Sequence, residues 1–430
     1  MSAGKRLLRG LVFGLALFIC LTTWLANPSE CQPEAYSILH NFGALGDGFQ
    51  PYFGHPVLSG STLYGMTEGG TLADGTLVGG VLYKINTDGT GYAVLHYFDN
   101  RPVTGGDGTV PRGGLTLSGS TLYGCCGYTG IPYLQGNGTV FKITTDGTGY
   151  QIIHTFFKET SGQCNPIGAP VVSGSRLYGT NVSDQTLDLN GVIFAMNTDG
   201  SAFQVLHEFA GKPDDGAKPY GSLTLVGSRL YGMTRHGGRY GTESGFPGNG
   251  VIFAIDTDGS NYQILHHFAG YPTDGKNPYG SLTLVGSKLY GMTGNGGASD
   301  GPGVIFSINL DGSGYQVILD FSAVSGASGP YGSLTLWGGK LYGMTAFGGE
   351  NGVSGAIFRV NPDGTGFKVL HGFMPSLGDG GGPYGDVTFA GNRLYGWTYA
   401  NGANNEGVFF SLQPEPPPVN AGMLNLLLMN

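Results

Sequence analysis

One tripeptide sets the frame for the whole chain. Leu-Tyr-Gly recurs with its tyrosine at Tyr64, Tyr123, Tyr178, Tyr231, Tyr290, Tyr342 and Tyr395, at spacings of 59, 55, 53, 59, 52 and 53 residues. Self-similarity at this period belongs to a propeller or an array of small units, whereas a β-helix coil needs a much shorter one. A residue present seven times builds a scaffold more readily than it catalyses, so the repeat speaks for architecture first.

Each unit carries four strand-like runs. In the fifth unit they are residues 281–285, 288–293, 304–309 and 315–321, punctuated by Gly286-Ser287, a glycine-rich loop and Asp311-Gly312. Aromatic and β-branched runs between Gly, Asn and Asp are strand and hairpin signals. The third run is apolar almost throughout (Val251 to Ile255 in the fourth unit), as befits a strand covered on both faces. The seventh unit makes its first three runs and then enters Pro414-Glu415-Pro416-Pro417-Pro418. Its missing fourth run lies at the other end of the chain, where residues 36–42 match residues 92–98 and 262–268. Three strands from one end and one from the other complete a unit only if the ends meet. The expectation is an all-β fold: a seven-bladed β-propeller with four strands per blade, closed by an N-terminal strand that completes blade seven.

The repeated elements Gly-Ser-Leu-Thr-Leu, Leu-Tyr-Gly-Met-Thr, Gly-Gly, Gly-Val-Ile-Phe and Asp-Gly-Thr-Gly resemble the Gloeo/Verruco-type ("GloVer") tandem repeat over about residues 36–412. That resemblance implies an exported or surface protein of the kind that carries varied C-terminal anchors. It brings no catalytic residues with it. The tail departs from the usual sorting signals, since the apolar stretch 423–429 is far too short to span a membrane.

Residues 1–30 read as a signal peptide, from Lys5, Arg6 and Arg9 ahead of the apolar run 11–26; an uncleaved anchor is the alternative. Residues 31–412 form the propeller and residues 413–430 a proline-rich tail without a fold of its own. The expected location is extracellular, cell-surface or periplasmic. The expected state is a monomer that touches a membrane only through its signal or anchor. Net charge is −9 and 11% of residues are charged, with no basic stripe to neutralise phosphates. Nucleic acid is therefore excluded as a partner.

Export permits disulfides. Cys125-Cys126 replaces the Met-Thr of other units, and Cys164 sits in the connection that leads into the third unit, so a Cys126–Cys164 bond is expected, with Cys125 as the other possible partner. No Cys-x-x-Cys pair or histidine cluster calls for zinc, and no cofactor is expected.

The repeated ionisable residues read as structural. His40, His96, His154, His207, His266 and His371 share one position in the fourth strand, where copies on separate outer strands cannot converge on one substrate. Asp47, Asp107, Asp215, Asp274 and Asp379 each precede Gly and stand four residues before Pro, which suits turns; a cation-binding ring is the sharper alternative. Symmetry breaks most at the loop after the second strand of unit four, the longest of its kind at 15 residues. It holds Arg235, His236, Arg239, Tyr240 and Glu243, a set able to bind an acidic or sugar ligand through charge-assisted hydrogen bonds, or else a solvated surface loop. No Gly-x-Ser-x-Gly elbow, phosphate loop or His-Glu-x-x-His motif occurs. Loops on a rigid scaffold carry binding. The reading is thus a non-enzymatic propeller that binds a saccharide or a surface protein through its top loops, with a propeller hydrolase, lyase or lactonase as the alternative.

Overall fold

The third strands dictate the layering. Val251–Asp256 presents five successive fully buried residues, Val251 to Ile255, which only a place between two other sheets can satisfy. The computed structural model describes residues 36–99, 108–127, 138–156, 165–182, 190–241, 247–348 and 354–414. Among these the fold is all-β, with short 3-10 turns and no α-helix. Its frame is seven four-stranded antiparallel sheets in a propeller-like arrangement.

Numbered along the chain, sheet 1 consists of Val57–Ser59, Thr62–Thr67, Val81–Asn86 and Ala93–Tyr97. Sheet 4 consists of Thr224–Val226, Arg229–Thr234, Val251–Asp256 and Gln263–His267. Sheet 7 takes Thr388–Ala390, Arg393–Trp397 and Val408–Leu412 from the C-terminal side and Ser37–Asn41 from the N-terminal side. Ser37 pairs with Ser411 and Asn41 with Val408 in that last ladder. Unit five follows its sequence pattern closely, with Lys288–Thr293, Val304–Asn309 and Gln316–Asp320 in place. Its fourth strand loses one residue at each end, and its first strand is shorter than the apolar pattern predicts, Thr283–Val285, because the Ser281 N–H turns away to the Ser333 hydroxyl of the next sheet.

Each neighbouring pair of sheets shares its own apolar cluster. Tyr178, Ile193 and Phe209 of sheet 3 meet Leu223, Leu230 and Phe253 of sheet 4. Phe42, Phe409 and Trp397 of sheet 7 meet Leu63, Tyr83 and Ile85 of sheet 1 in the same way. The Leu-Tyr-Gly tyrosines are buried in these seams, and the Tyr395 hydroxyl donates to the Thr87 carbonyl at 3.1 Å. The glycine beside each one is obligatory, since a Cβ on Gly65 would stand 2.4 Å from the Tyr83 hydroxyl.

Short two-stranded ladders tie the incoming connection to the loop after the second strand. Gly216–Ala217 pairs with His236–Gly237, and Gly275–Lys276 with Asn295–Gly296. Both kinds of segment therefore lie at one end of the sheets, here called the top, opposite the short hairpins.

Candidate ligand site at the channel mouth

The repeated histidines and aspartates find each other. His207 Nε2 donates to Asp215 at 3.0 Å and lies face to face with Tyr262 at 3.6 Å; the Tyr262 hydroxyl donates to the other oxygen of Asp215. The same arrangement joins His266, Asp274 and Tyr315, and His40, Asp47 and Tyr92. Each group bridges two adjacent sheets. Burial raises the Asp215 and Asp274 carboxyls, but hydrogen bonds from histidine, tyrosine and backbone N–H outweigh it and hold both below the usual carboxylate range. These carboxylates are spent on staples between sheets, so they do not form a cation ring. Among the described residues no group of three or more histidine, cysteine or acidic side chains is disposed to hold a metal.

The mouth is built from two positions on each repeat that the top-end geometry superposes. The first follows the proline of Pro-x-Gly (Pro-x-x-Gly in sheet 1), just ahead of each first strand, where tyrosine recurs. Tyr220, Tyr279, Tyr331, Tyr384 and Tyr52 form an arc in which successive ring centroids are 5.4, 4.7, 5.7 and 4.9 Å apart. Sheets 2 and 3 break the arc with Arg112 and Ile167. The second position follows each second strand and differs in every sheet that matters: Glu68, Arg235 and Tyr399. Tyr399 packs on Tyr52 at 5.2 Å. Glu68 accepts from Arg112 Nε at 2.7 Å, so that pair neutralises itself. Burial raises the Glu68 carboxyl, against the opposing pull of Arg112.

Arg235 by contrast turns to the tyrosines, with a side-chain hydrogen bond to Tyr279. Its guanidinium lies 4.5 Å from the Tyr279 ring centroid and 5.5 Å from that of Tyr220, within the range of cation–π attraction. Among the described residues no carboxylate pairs with it, and its buried Nε has no acceptor. Burial pushes the Tyr279 phenol up to about 12 even though Arg235 pulls it down. Burial likewise raises Tyr52, Tyr331, Tyr384 and Tyr399, so the arc stays a set of protonated hydroxyl donors.

The other described residues of the long loop lie elsewhere. His236 belongs to the short ladder with Ala217, and burial together with Arg235 lowers its pKa to about 4, which leaves it neutral. Arg239 is 64% exposed, 3.8 Å from the still more exposed Asp214, and Tyr240 is also on the surface. Glu243 and Cys164 fall outside the described residues. Cys126 packs with sheet 1 side chains and Cys125 with those of sheet 3. Burial pushes the Cys125 thiol up to about 12.

Inside the mouth is a cavity of 610 Å³ lined by inner strands of all seven sheets. It holds one pair of single-copy ionisable groups, His55 and Asp386, with Nδ1 and Oδ2 3.7 Å apart. Neither the Pro-Tyr-Gly arc nor this pair stands out in the sequence. The signal that marks them is positional: the same two or three register positions, tabulated over seven units, keep their backbone role and change their chemistry.

Solved structures of similar fold include an oligogalacturonate lyase from Vibrio parahaemolyticus, 12% identical over 91% of this chain and 96% of that one, with a TM-score of 0.56. An oligogalacturonate lyase in complex with manganese is 11% identical over 90% and 97%, with a TM-score of 0.53. The β-propeller domain of the trilobed protease from Pyrococcus furiosus is 11% identical over 87% and 99%, with a TM-score of 0.49. At identities this low the two lyases speak for the fold alone. No curated protein matches the chain. The model of the Gloeobacter/Verrucomicrobia repeat, however, matches residues 29–243 and 240–421, and the chain belongs to that repeat family.

Proposed function

We propose that this chain is an exported, non-enzymatic β-propeller of seven blades, closed by the strand from its N-terminal end, that binds an acidic saccharide at its top mouth. The observation that carries the reading is Arg235, a guanidinium with no carboxylate partner among the described residues, set against Tyr279 and Tyr220 of the tyrosine arc in a protein of net charge −9. Aromatic faces and protonated phenols suit sugar rings and their hydroxyls. A guanidinium without a carboxylate partner suits an acid group on the same ligand. A surface protein would fit a mouth of this chemistry less well than its glycan would. Closure is supported by the sheet 7 ladder and by the cluster that sheets 7 and 1 share. Export rests on the basic and apolar composition of residues 1–30. Among the described residues no helix is long and apolar enough to cross a membrane.

A glycan array tests the reading. The wild-type protein is expected to retain uronic or otherwise acidic oligosaccharides above neutral ones. Arg235→Ala should lower that retention about tenfold or more, the loss of one charge-assisted contact. Arg239→Ala should leave it unchanged, since Arg239 lies on the outer rim. Equal retention of acidic and neutral glycans by both variants and the wild type would refute the assignment. The second reading, a hydrolase or lyase, is favoured only by the His55–Asp386 pair inside the cavity. Incubation of bound glycans with the protein, followed by mass analysis, checks it: cleavage products lost in His55→Ala would move the chain to the enzyme class.

A further inference from the structure

We propose that the site reads chain ends: the terminal unit of the saccharide enters the channel along its axis and rests on a belt of hydroxyls beneath the tyrosine arc. This deepens the saccharide reading and depends on it. The belt is the residue that follows each Pro-x-Gly or its equivalent. Ser222, Ser281 and Ser333 occupy it in sheets 4, 5 and 6, Asp386 in sheet 7 and His55 in sheet 1. A backbone N–H from each preceding sheet reaches across to the next side chain. Ala169 donates to Ser222 Oγ at 2.8 Å, Ser222 to Ser281 Oγ at 2.9 Å, Ser281 to Ser333 Oγ at 2.8 Å, and Ser333 to Asp386 Oδ1.

This ratchet fixes every oxygen and leaves the serine hydrogens over. Among the described residues none of the three serine hydroxyls donates to a protein acceptor. The belt therefore offers three oriented O–H donors and one carboxylate acceptor to whatever lies in the channel. A sugar hydroxyl both donates and accepts, so it answers both. At the same register sheets 2 and 3 carry only Gly114 and Ala169, which leaves space on that side.

Two features make entry axial. Inner-strand residues of all seven sheets line the cavity, so the middle of a polymer has no lateral way in. Two positions before the glycine of the bottom hairpins, the wall turns apolar at Leu58, Val172 and Phe389. Carrying a hydroxyl-rich unit past such a collar strips its hydrogen bonds without replacing them. A volume of 610 Å³ lies within the range of small-molecule sites, enough for a chain end and no long segment.

The test is an array of linear neutral and uronic oligosaccharides of two to eight units. Each is displayed once with its non-reducing end free and once with both ends blocked and the link made mid-chain. The wild-type protein should retain the end-free form about tenfold or more above the end-blocked form, the worth of one to two hydrogen bonds. Ser281→Val combined with Asp386→Asn should erase that preference, and the arc should still hold both forms weakly. Equal retention of end-free and end-blocked chains by the wild type overturns the inference and leaves the saccharide reading standing. Retention of neither form overturns both. The comparison on the wild-type protein needs no substitution, so a variant that fails to fold cannot obscure it.

Discussion

Among single residues, the staple between sheets follows a rule that runs through all seven repeats. The ring that opens the fourth strand is Tyr36, Tyr92, Tyr150, Tyr262 or Tyr315 wherever the preceding connection supplies an aspartate. It is Phe203 or Phe367 in the two places where none is supplied. A phenol hydroxyl buried in a seam must have an acceptor, and a phenyl ring needs none. Tyr262→Phe should therefore cost about 1–3 kcal/mol in urea unfolding, because Asp215 keeps its buried charge and loses a donor. Phe203→Tyr should not stabilise. The same carboxylates set the acid limit. The folded pKa values of Asp215 and Asp274 lie below the unfolded value of about 3.9, so the contribution of these two is fully present above that pH and is lost as pH falls through the folded value. Stability should drop below about pH 4, and Asp274→Asn should flatten that drop in urea melts at pH 3 and pH 7. The histidines were legible as scaffold because they repeat. Their partners were not, since His207 and Tyr262 lie 55 positions apart and only the packing of sheets makes them neighbours. The mouth was hidden for the opposite reason. Its tyrosines repeat and so read as scaffold, and loop length pointed to a segment of which, among the described residues, Arg235 alone reaches the arc.

The lock between elements is a bulge set against a hairpin. Every fourth strand slips register by one residue against the third, as between Ile252 and Phe253 in sheet 4 and between Ile193 and Phe194 in sheet 3. The displaced residue of one sheet, Leu206 for example, packs on the Asp-Gly hairpin of the next. Gly259 there has φ +91°, and a Cβ would come within 3.4 Å of Leu206. Gly259→Ala should cost about 1–2 kcal/mol from the left-handed backbone alone, read as a lower thermal midpoint with the ligand site intact. Strand number and order were legible at this level, because hairpin glycines and apolar third strands carry them. The bulges were not, as a one-residue slip leaves no mark in a run such as Gln-Val-Leu-His. The cysteines belong to this level too. Peptide mapping of the oxidised protein without reductant should recover Cys164 linked to Cys126 or Cys125; full alkylation of all three would remove the disulfide.

Over the molecule as a whole, the two chain ends share one sheet. Deleting residues 31–42 removes Phe42, which is fully buried against Tyr83, and the Tyr36 ring stacked on His371 at 4.0 Å. Ile38 matters less than its apolar character suggests, as it stays 37% exposed on the outer edge. Burying Phe42 contributes about 1.5–3 kcal/mol, and the half-buried Leu39 contributes less. The truncated chain should melt well below the full chain or aggregate through the uncovered edge of Val408–Leu412. An unchanged melting curve for a soluble truncation would disprove closure by this strand.

That shared sheet also sets the order of events in folding. Ser37–Asn41 is made before any of its partners, and Val408–Leu412 after nearly everything else. The first strand to be synthesised thus waits, unpaired, through about 370 residues of chain before its ladder exists. Contacts so distant in sequence form slowly, because the whole intervening loop must be ordered first. Sheets 1 to 6 are each contiguous in sequence and can pair locally, so sheet 7 alone must wait for the last repeat.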